Sequence, residues 1–301
     1  MTRTLLRARR RQAGFTLVEL LVSLVIGFAV VGALLAAYMA SFRGTRQQDA
    51  MVQMAEDATL ALNVIRAQVA MAGYSSVVAV TPGGLTLHTF ASKPLFGCAG
   101  SQFGTPLDPI ITAALPCVAT PPGTPVSDTI EVAYEATNDT HGSNGILGPA
   151  ASGNAPLDCL GNAIPLTNDG VGTAFYLNDS KFYVQGGSLY CHAAGATPGA
   201  PLVDHVEKLS VTYGLAAADL KSLNQIVTYA PAPALASTDW QRVVSATICI
   251  EVRSADKVLD QTNVATLSTY IDCAGKRQTT VTDGYLRRSF ATTVVLQNRL
   301  L

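Results

Sequence analysis

Arg9-Arg10-Arg11-Gln12-Ala13-Gly14-Phe15-Thr16-Leu17-Val18-Glu19-Leu20 opens a run that stays apolar to Phe42. A short basic leader ends in glycine, and a hydrophobic helix begins directly after it. From Phe15 to Phe42 there are 28 residues, and Glu19 is the only charged one among them. About 20 apolar residues cross a bilayer core, so the run is long enough. A secretory signal carries only about 7–15 apolar residues, with its small-residue cleavage site behind them. Here the small residue, Gly14, stands in front. The arginines are therefore expected to stay in the cytoplasm and the C-terminal body to be exported, leaving one acid where the bilayer would be.

Working outward, the helix is expected to continue past the membrane. After Arg43-Gly44-Thr45-Arg46 the residues Met51, Ala55, Ala58, Leu62, Ile65 and Val69 recur four and three apart, which puts them on one helical stripe. No proline lies between residues 15 and 72, and Gly73 marks a stop. A continuous helix from Phe15 to Ala72 would hold 58 residues and measure about 87 Å, with Gly44 as a bend point. Its second half faces either a globular domain or, in the alternative, a coiled-coil partner.

Beyond Tyr74 the pattern turns to strands. Val77–Val80 and Leu85–His88 around Pro82-Gly83-Gly84 read as a hairpin. Residues 91–127 read mostly as loop, and Thr129–Tyr134 as a strand. Residues 137–172 are turn chemistry almost throughout. Short strands are expected at Phe175–Leu177, Phe182–Gln185 and Ser188–Cys191, a longer one at Val206–Tyr213, then an irregular stretch from Leu215 to Asp239. In Arg242–Arg253, Val244, Ala246, Ile248, Ile250 and Val252 alternate with Ser245, Thr247, Cys249 and Glu251, a strand with one face to a core and the other to solvent or a covering loop. Arg287–Gln297 alternates through Phe290, Thr292, Val294 and Leu296. The fold expected is α+β: a long N-terminal helix, half transmembrane and half amphipathic, packed on an antiparallel sheet head with long disulfide-stapled loops. The divisions are a leader at 1–14, a membrane helix at 15–42, an amphipathic half at 43–73 and a head at 74–301.

Composition narrows the function. The chain is 301 residues long, 49% hydrophobic and only 14% charged, large enough for a sizeable core and poor in the charge typical of a cytosolic enzyme. Arg3, Arg7, Arg9, Arg10 and Arg11 lie ahead of Gly14; without them, 15 of the 20 basic residues face 21 acids, a net of −6. An acidic body argues against nucleic acid as a partner. Cys98, Cys117, Cys159, Cys191, Cys249 and Cys273 form no CxxC, and an even number of widely spaced cysteines in an exported body favours disulfides over zinc. Fifteen connectivities are open; chain order suggests Cys98–Cys117, Cys159–Cys191 and Cys249–Cys273.

No GxSxG, P-loop, GxGxxG or HExxH pattern occurs. His88, His141, His192 and His205 are scattered, and Cys191-His192 reads as disulfide chemistry rather than a nucleophile. Asp139, Asp158, Asp169 and Asp179 sit in apparent turns without EF-hand spacing. No catalytic, cofactor or metal site is expected.

Gly14-Phe15-Thr16-Leu17-Val18-Glu19-Leu20-Leu21-Val22 resembles the processing motif of type IV pilins and of the pseudopilins of type II secretion. The resemblance implies cutting between Gly14 and Phe15 by a prepilin peptidase, N-methylation of Phe15, and an assembly role for Glu19. Arg66-Ala67-Gln68-Val69-Ala70-Met71-Ala72-Gly73-Tyr74 is similar to the helix end of PilW-type minor pilins. Val206–Gly214, Trp240 with Val243–Arg253, and Arg288–Arg299 look like the same family, with Gln297 where arginine is common; residues 91–172 match nothing in it. The implied function is that of a minor pilin, acting with other minor pilins and the major pilin to prime a filament at its tip and hold a tip adhesin. It would be anchored in the inner membrane with its head in the periplasm, then carried to the pilus tip. A minor pseudopilin of type II secretion is the alternative reading, and a membrane-anchored periplasmic enzyme or receptor is a third.

Overall fold

A computed structural model describes Gly14 and residues 16–81, 83–87, 94–103, 117–119, 126–137, 155–168, 174–193, 199–218, 225–232, 235, 239–259, 269–279 and 283–299. The leader before Gly14, Phe15, His88, Asp139, His141, Asp169 and most of the turn-rich 137–172 lie outside these residues. The chain divides into two units, Met1–Asp49 and Ala50–Leu301, with the break inside one helix.

Helix α1 covers Leu17–Met71, 55 residues, and passes through Gly44 without interruption. Thr16 starts it two residues later than expected, because its hydroxyl caps the first turn. Gly73 ends it with φ of 80°, and Tyr74 N–H bonds back to the Met71 carbonyl. Glycine tolerates that left-handed position at no steric cost. In the first unit, the apolar side chains from Leu17 to Phe42 are exposed, and the stretch is long and apolar enough to cross a membrane.

The strands of the second unit are β1 (Val77–Thr81), β2 (Gly84–Leu87), β3 (Leu95–Cys98), β4 (Ser101–Phe103), β5 (Cys117–Ala119), β6 (Thr129–Ala136), β7 (Leu166–Thr167) and β8 (Phe175–Gln185). They continue with β9 (Ser188–Ala193), β10 (Ala200–Asp204), β11 (Val206–Ala216), β12 (Ile226–Pro231), β13 (Val243–Arg253), β14 (Tyr270–Ile271), β15 (Arg277–Gln278) and β16 (Arg287–Val295). Two antiparallel sheets carry the head: β10-β9-β8-β6-β3, with β7 beside β8, and β12-β11-β13-β16. The short pairs β1-β2, β4-β5 and β14-β15 complete it.

The expected antiparallel sheet head is present and is built from two main sheets. Several expectations are corrected. Phe175–Leu177 and Phe182–Gln185 are parts of one strand, because Asn178–Lys181, read as a break, pair in register with Val132–Tyr134 and neighbouring residues of β6. The stretch read as mostly loop, 91–127, also holds the short strands β3, β4 and β5, and the irregular 215–239 holds β12.

The core joins α1 to both sheets. Ala58, Leu62, Ile65 and Val69 of the expected stripe are buried, while Met51 and Ala55 are only half-buried. Met54, Ala61, Val64 and Gln68 are buried as well, so the face is wider than a single stripe, as a helix walled by two sheets requires. Facing residues include Ile130, Val132, Tyr134 and Phe182 from one sheet, and Leu209, Val211, Ile248 and Ile250 from the other. Gln68 is the polar member, accepting a 2.7 Å bond from Asn178. The sheets are stitched directly. Asp128, just before β6, accepts from the backbone of Gly100 at 2.9 Å and of Val211 at 2.8 Å, although burial pushes its carboxyl up. A methyl group at Gly97 of β3 would strike the Tyr213 hydroxyl of β11, so only glycine permits that approach.

Candidate functional site: the start of the helix and the latches of the head

Local chemistry explains the first turn of α1. Thr16 and Glu19 stand in the order Thr-x-x-Glu, which lets each side chain satisfy the other residue's backbone. The Glu19 amide donates to Thr16 Oγ1 at 3.2 Å, and Glu19 Oε2 accepts from the Thr16 amide and hydroxyl, each at 3.2 Å. Glu19 is therefore not a bare carboxylate. It is exposed, carries two hydrogen bonds from Thr16, and has no cation among the described residues of its turn. The capping pattern was present in the sequence and was missed there, because the acid was read only as a charge in a bilayer. Gly14 lies exposed before the helix, and a side chain there would meet nothing within 4 Å. Phe15, between them, is outside the described residues.

The cysteines pair Cys98–Cys117, Cys159–Cys191 and Cys249–Cys273. Two of these bonds share a device that sequence reading overlooked. In Asp158-Cys159-Leu160-Gly161-Asn162, Asp158 Oδ1 accepts from the amides of Leu160 and Asn162, at 2.7 and 2.9 Å. In Asp272-Cys273-Ala274-Gly275-Lys276 the equivalent bonds to Ala274 and Lys276 are 2.9 and 2.8 Å. Gly161 and Gly275 both take positive φ, 79° and 75°. Each turn presents its cysteine to a sheet strand, β9 in one case and β13 in the other. The signal was Asp-Cys-x-Gly occurring twice.

The second turn covers the outer face of β13 at Cys249 and Glu251. Its hairpin lies over Glu251, which accepts from Tyr270 Oη at 2.9 Å and from the Cys273 amide at 3.2 Å. Burial, and then that bond to Glu251, push the Tyr270 phenol up.

The residues weighed for catalysis do not converge. Asp158 is spent on its turn. Cys191 is disulfide-bonded, and His192 beside it is buried. His205 sits at the β10–β11 corner with φ of 63°, its Nδ1 3.6 Å from Asp57 Oδ2. Asp179, read as a turn residue, is instead inside β8, with Lys181 Nζ 2.6 Å from its Oδ2 and 3.4 Å from Glu131 Oε1. All three are buried. Among the described residues no group of His, Cys, Asp and Glu could hold a metal ion.

Two family models match the chain. Residues 9–35 match the prokaryotic N-terminal methylation motif, and residues 174–298 match type IV pilus-assembly protein W. The first match contains the Thr16–Glu19 turn, and the second contains β8 to β16. Among solved structures, a type IV-like pilin from Thermus thermophilus is similar at 13% identity and a TM-score of 0.38, over 82% of this chain and 97% of that one. No curated protein matches.

Proposed function

From the premise that the chain is a PilW-like type IV pilin, we propose that it is a minor pilin that primes filament growth at the tip, together with other minor pilins, and presents a tip adhesin. The observation that carries this is a methylation motif at 9–35 and a PilW-type segment at 174–298 on one chain, the first opening a 55-residue helix whose second half shares a core with strands of the second. A pilin is a structural protein, which agrees with a chain that is not an enzyme.

In this reading a prepilin peptidase cuts after Gly14 and the new amino terminus of Phe15 is methylated. The chain then rests in the inner membrane as a single-pass protein with its head in the periplasm. The divisions are a leader at 1–14, a membrane helix at 15–42, an amphipathic half at 43–73 and a head at 74–301. Glu19 then becomes the assembly residue. A carboxylate at the bilayer centre costs about 2.5–3.5 kcal/mol. Glu19, directly before the charge-free stretch, lies toward the cytoplasmic edge and bears part of that cost, and the Thr16 bonds offset only its hydrogen-bonding loss. The cationic terminus of a neighbouring pilin supplies the missing counter-charge, so lateral packing in a filament is favoured over isolation in lipid. The size of the head, with its latched turns, suits low copy number at a tip better than a repeating filament wall.

Deletion of the gene tests the proposal. Surface pili should disappear or fall sharply while the major pilin still accumulates in the membrane, and a Glu19→Gln copy should fail to restore them while being cut normally. Normal piliation in the deletion strain overturns the proposal. A block in protein secretion with intact pili would instead assign the chain to a secretion pseudopilus.

A further inference from the structure

One face of the first unit combines features that its apolar run does not explain. Tyr38, Phe42 and Arg46 follow each other at four-residue intervals and so stack along one side of α1. The Tyr38 and Phe42 rings lie 6.3 Å apart at 18°, and the Arg46 guanidinium stands 5.4 Å from the Phe42 ring centroid. All three are exposed, the tyrosine to 68% and the phenylalanine to 52%. They occur where the apolar run ends. The 23 residues from Leu20 to Phe42 carry no charge, which gives about 35 Å of helix against a hydrocarbon core of about 30 Å. Arg43 and Arg46 are the first charged groups after Glu19, and the next acid is Asp49.

We propose that Tyr38, Phe42, Arg43 and Arg46 form an interfacial anchor that binds phospholipid headgroup phosphates on the exported side of the membrane. This rests on the membrane-spanning, leader-cleaved reading above. Aromatic rings of this kind settle at headgroup depth, and a guanidinium pairs with phosphate in forked geometry. The charge balance gives the anchor its purpose. Before cleavage, five leader arginines hold the cytoplasmic end of the helix. Cleavage after Gly14 removes all five. The two arginines at the opposite end are then the only side-chain cations bordering the apolar run, and they set how deep the mature helix sits while it awaits assembly.

The test uses the full mature chain, with Ser41→Cys spin-labelled, in vesicles of phosphatidylethanolamine and phosphatidylglycerol; label depth is read by paramagnetic relaxation. Arg43→Gln with Arg46→Gln should move the label inward by ~5 Å, one helical turn, while Arg43→Lys with Arg46→Lys should keep the parent depth. In vesicles of galactolipid, which lacks phosphate, parent and glutamine variant should coincide. Removing cations from the exported side favours correct insertion, so a shift does not report failed insertion. Equal depths in phospholipid, or a difference that persists in galactolipid, overturn the anchor. The N-terminal mass of the same sample reports leader cleavage separately.

Discussion

At the scale of single residues, the sharpest case is Lys181. Its ammonium lies between Asp179 and Glu131 inside the head, at 2.6 and 3.4 Å. Register makes the cluster: Glu131 is directly opposite Lys181 on the neighbouring strand, and Asp179 is two residues along the same face. Lys181→Ala would leave two buried carboxylates without their ammonium, and the expected loss is about 3–5 kcal/mol in urea unfolding. Combining Lys181→Met with Glu131→Gln and Asp179→Asn should recover much of that loss, since no net charge then stays buried. Sequence reading missed this cluster because Asn178, Asp179 and Ser180 are turn-forming types, and only the strand pairing across β6 shows that they are extended. Glu19 shows the opposite case. Its position was legible from one charge in an apolar run, while its bonds to Thr16 needed the helix start to be placed to the residue.

At the scale of elements, the Asp272 turn carries a pH dependence of definite sign. The Lys276 amide is the largest influence; it outweighs the opposing effect of burial, and with Gln278, the Ala274 amide and Lys208 it holds the Asp272 carboxyl below the usual carboxylate range. The folded chain therefore binds fewer protons here than the unfolded chain does as acid is added. The turn's contribution is fully present above the unfolded carboxylate value of about 3.9 and is lost as pH falls below it through the folded value. Asp272→Asn should flatten that part of the acid limb when urea midpoints are compared from about pH 5 to about pH 2. An unchanged slope would show that another group governs it. The long strand β13 was legible because its residues alternate strictly between an apolar and a polar face, β16 alternates less cleanly, and β11 was read as a longer strand. The strands β3, β4, β5 and β12 were not, because each is short, lies among Gly and Pro, and is defined by its partner more than by its own periodicity. The duplicated Asp-Cys-x-Gly latch is local chemistry, and it was visible to anyone comparing the two cysteines' neighbours.

At the scale of the whole molecule, the division of labour along α1 was readable from hydropathy alone: an apolar first half, then a stripe. What the sequence did not reveal is that the stripe serves two sheets at once, which widens it to include Met54, Ala61, Val64 and Gln68. The two family-model matches fall at the places where physics restricts the residue types most, the start of the apolar helix and the paired late strands. The central claim is that this chain is cut after Gly14 and enters a filament. Mass analysis of the chain's N-terminal peptide in sheared, purified filaments tests it most directly. The account predicts a peptide that begins with N-methylated Phe15, present at low copy beside the major pilin. A chain that keeps its arginine leader and is found only in the membrane fraction would contradict it.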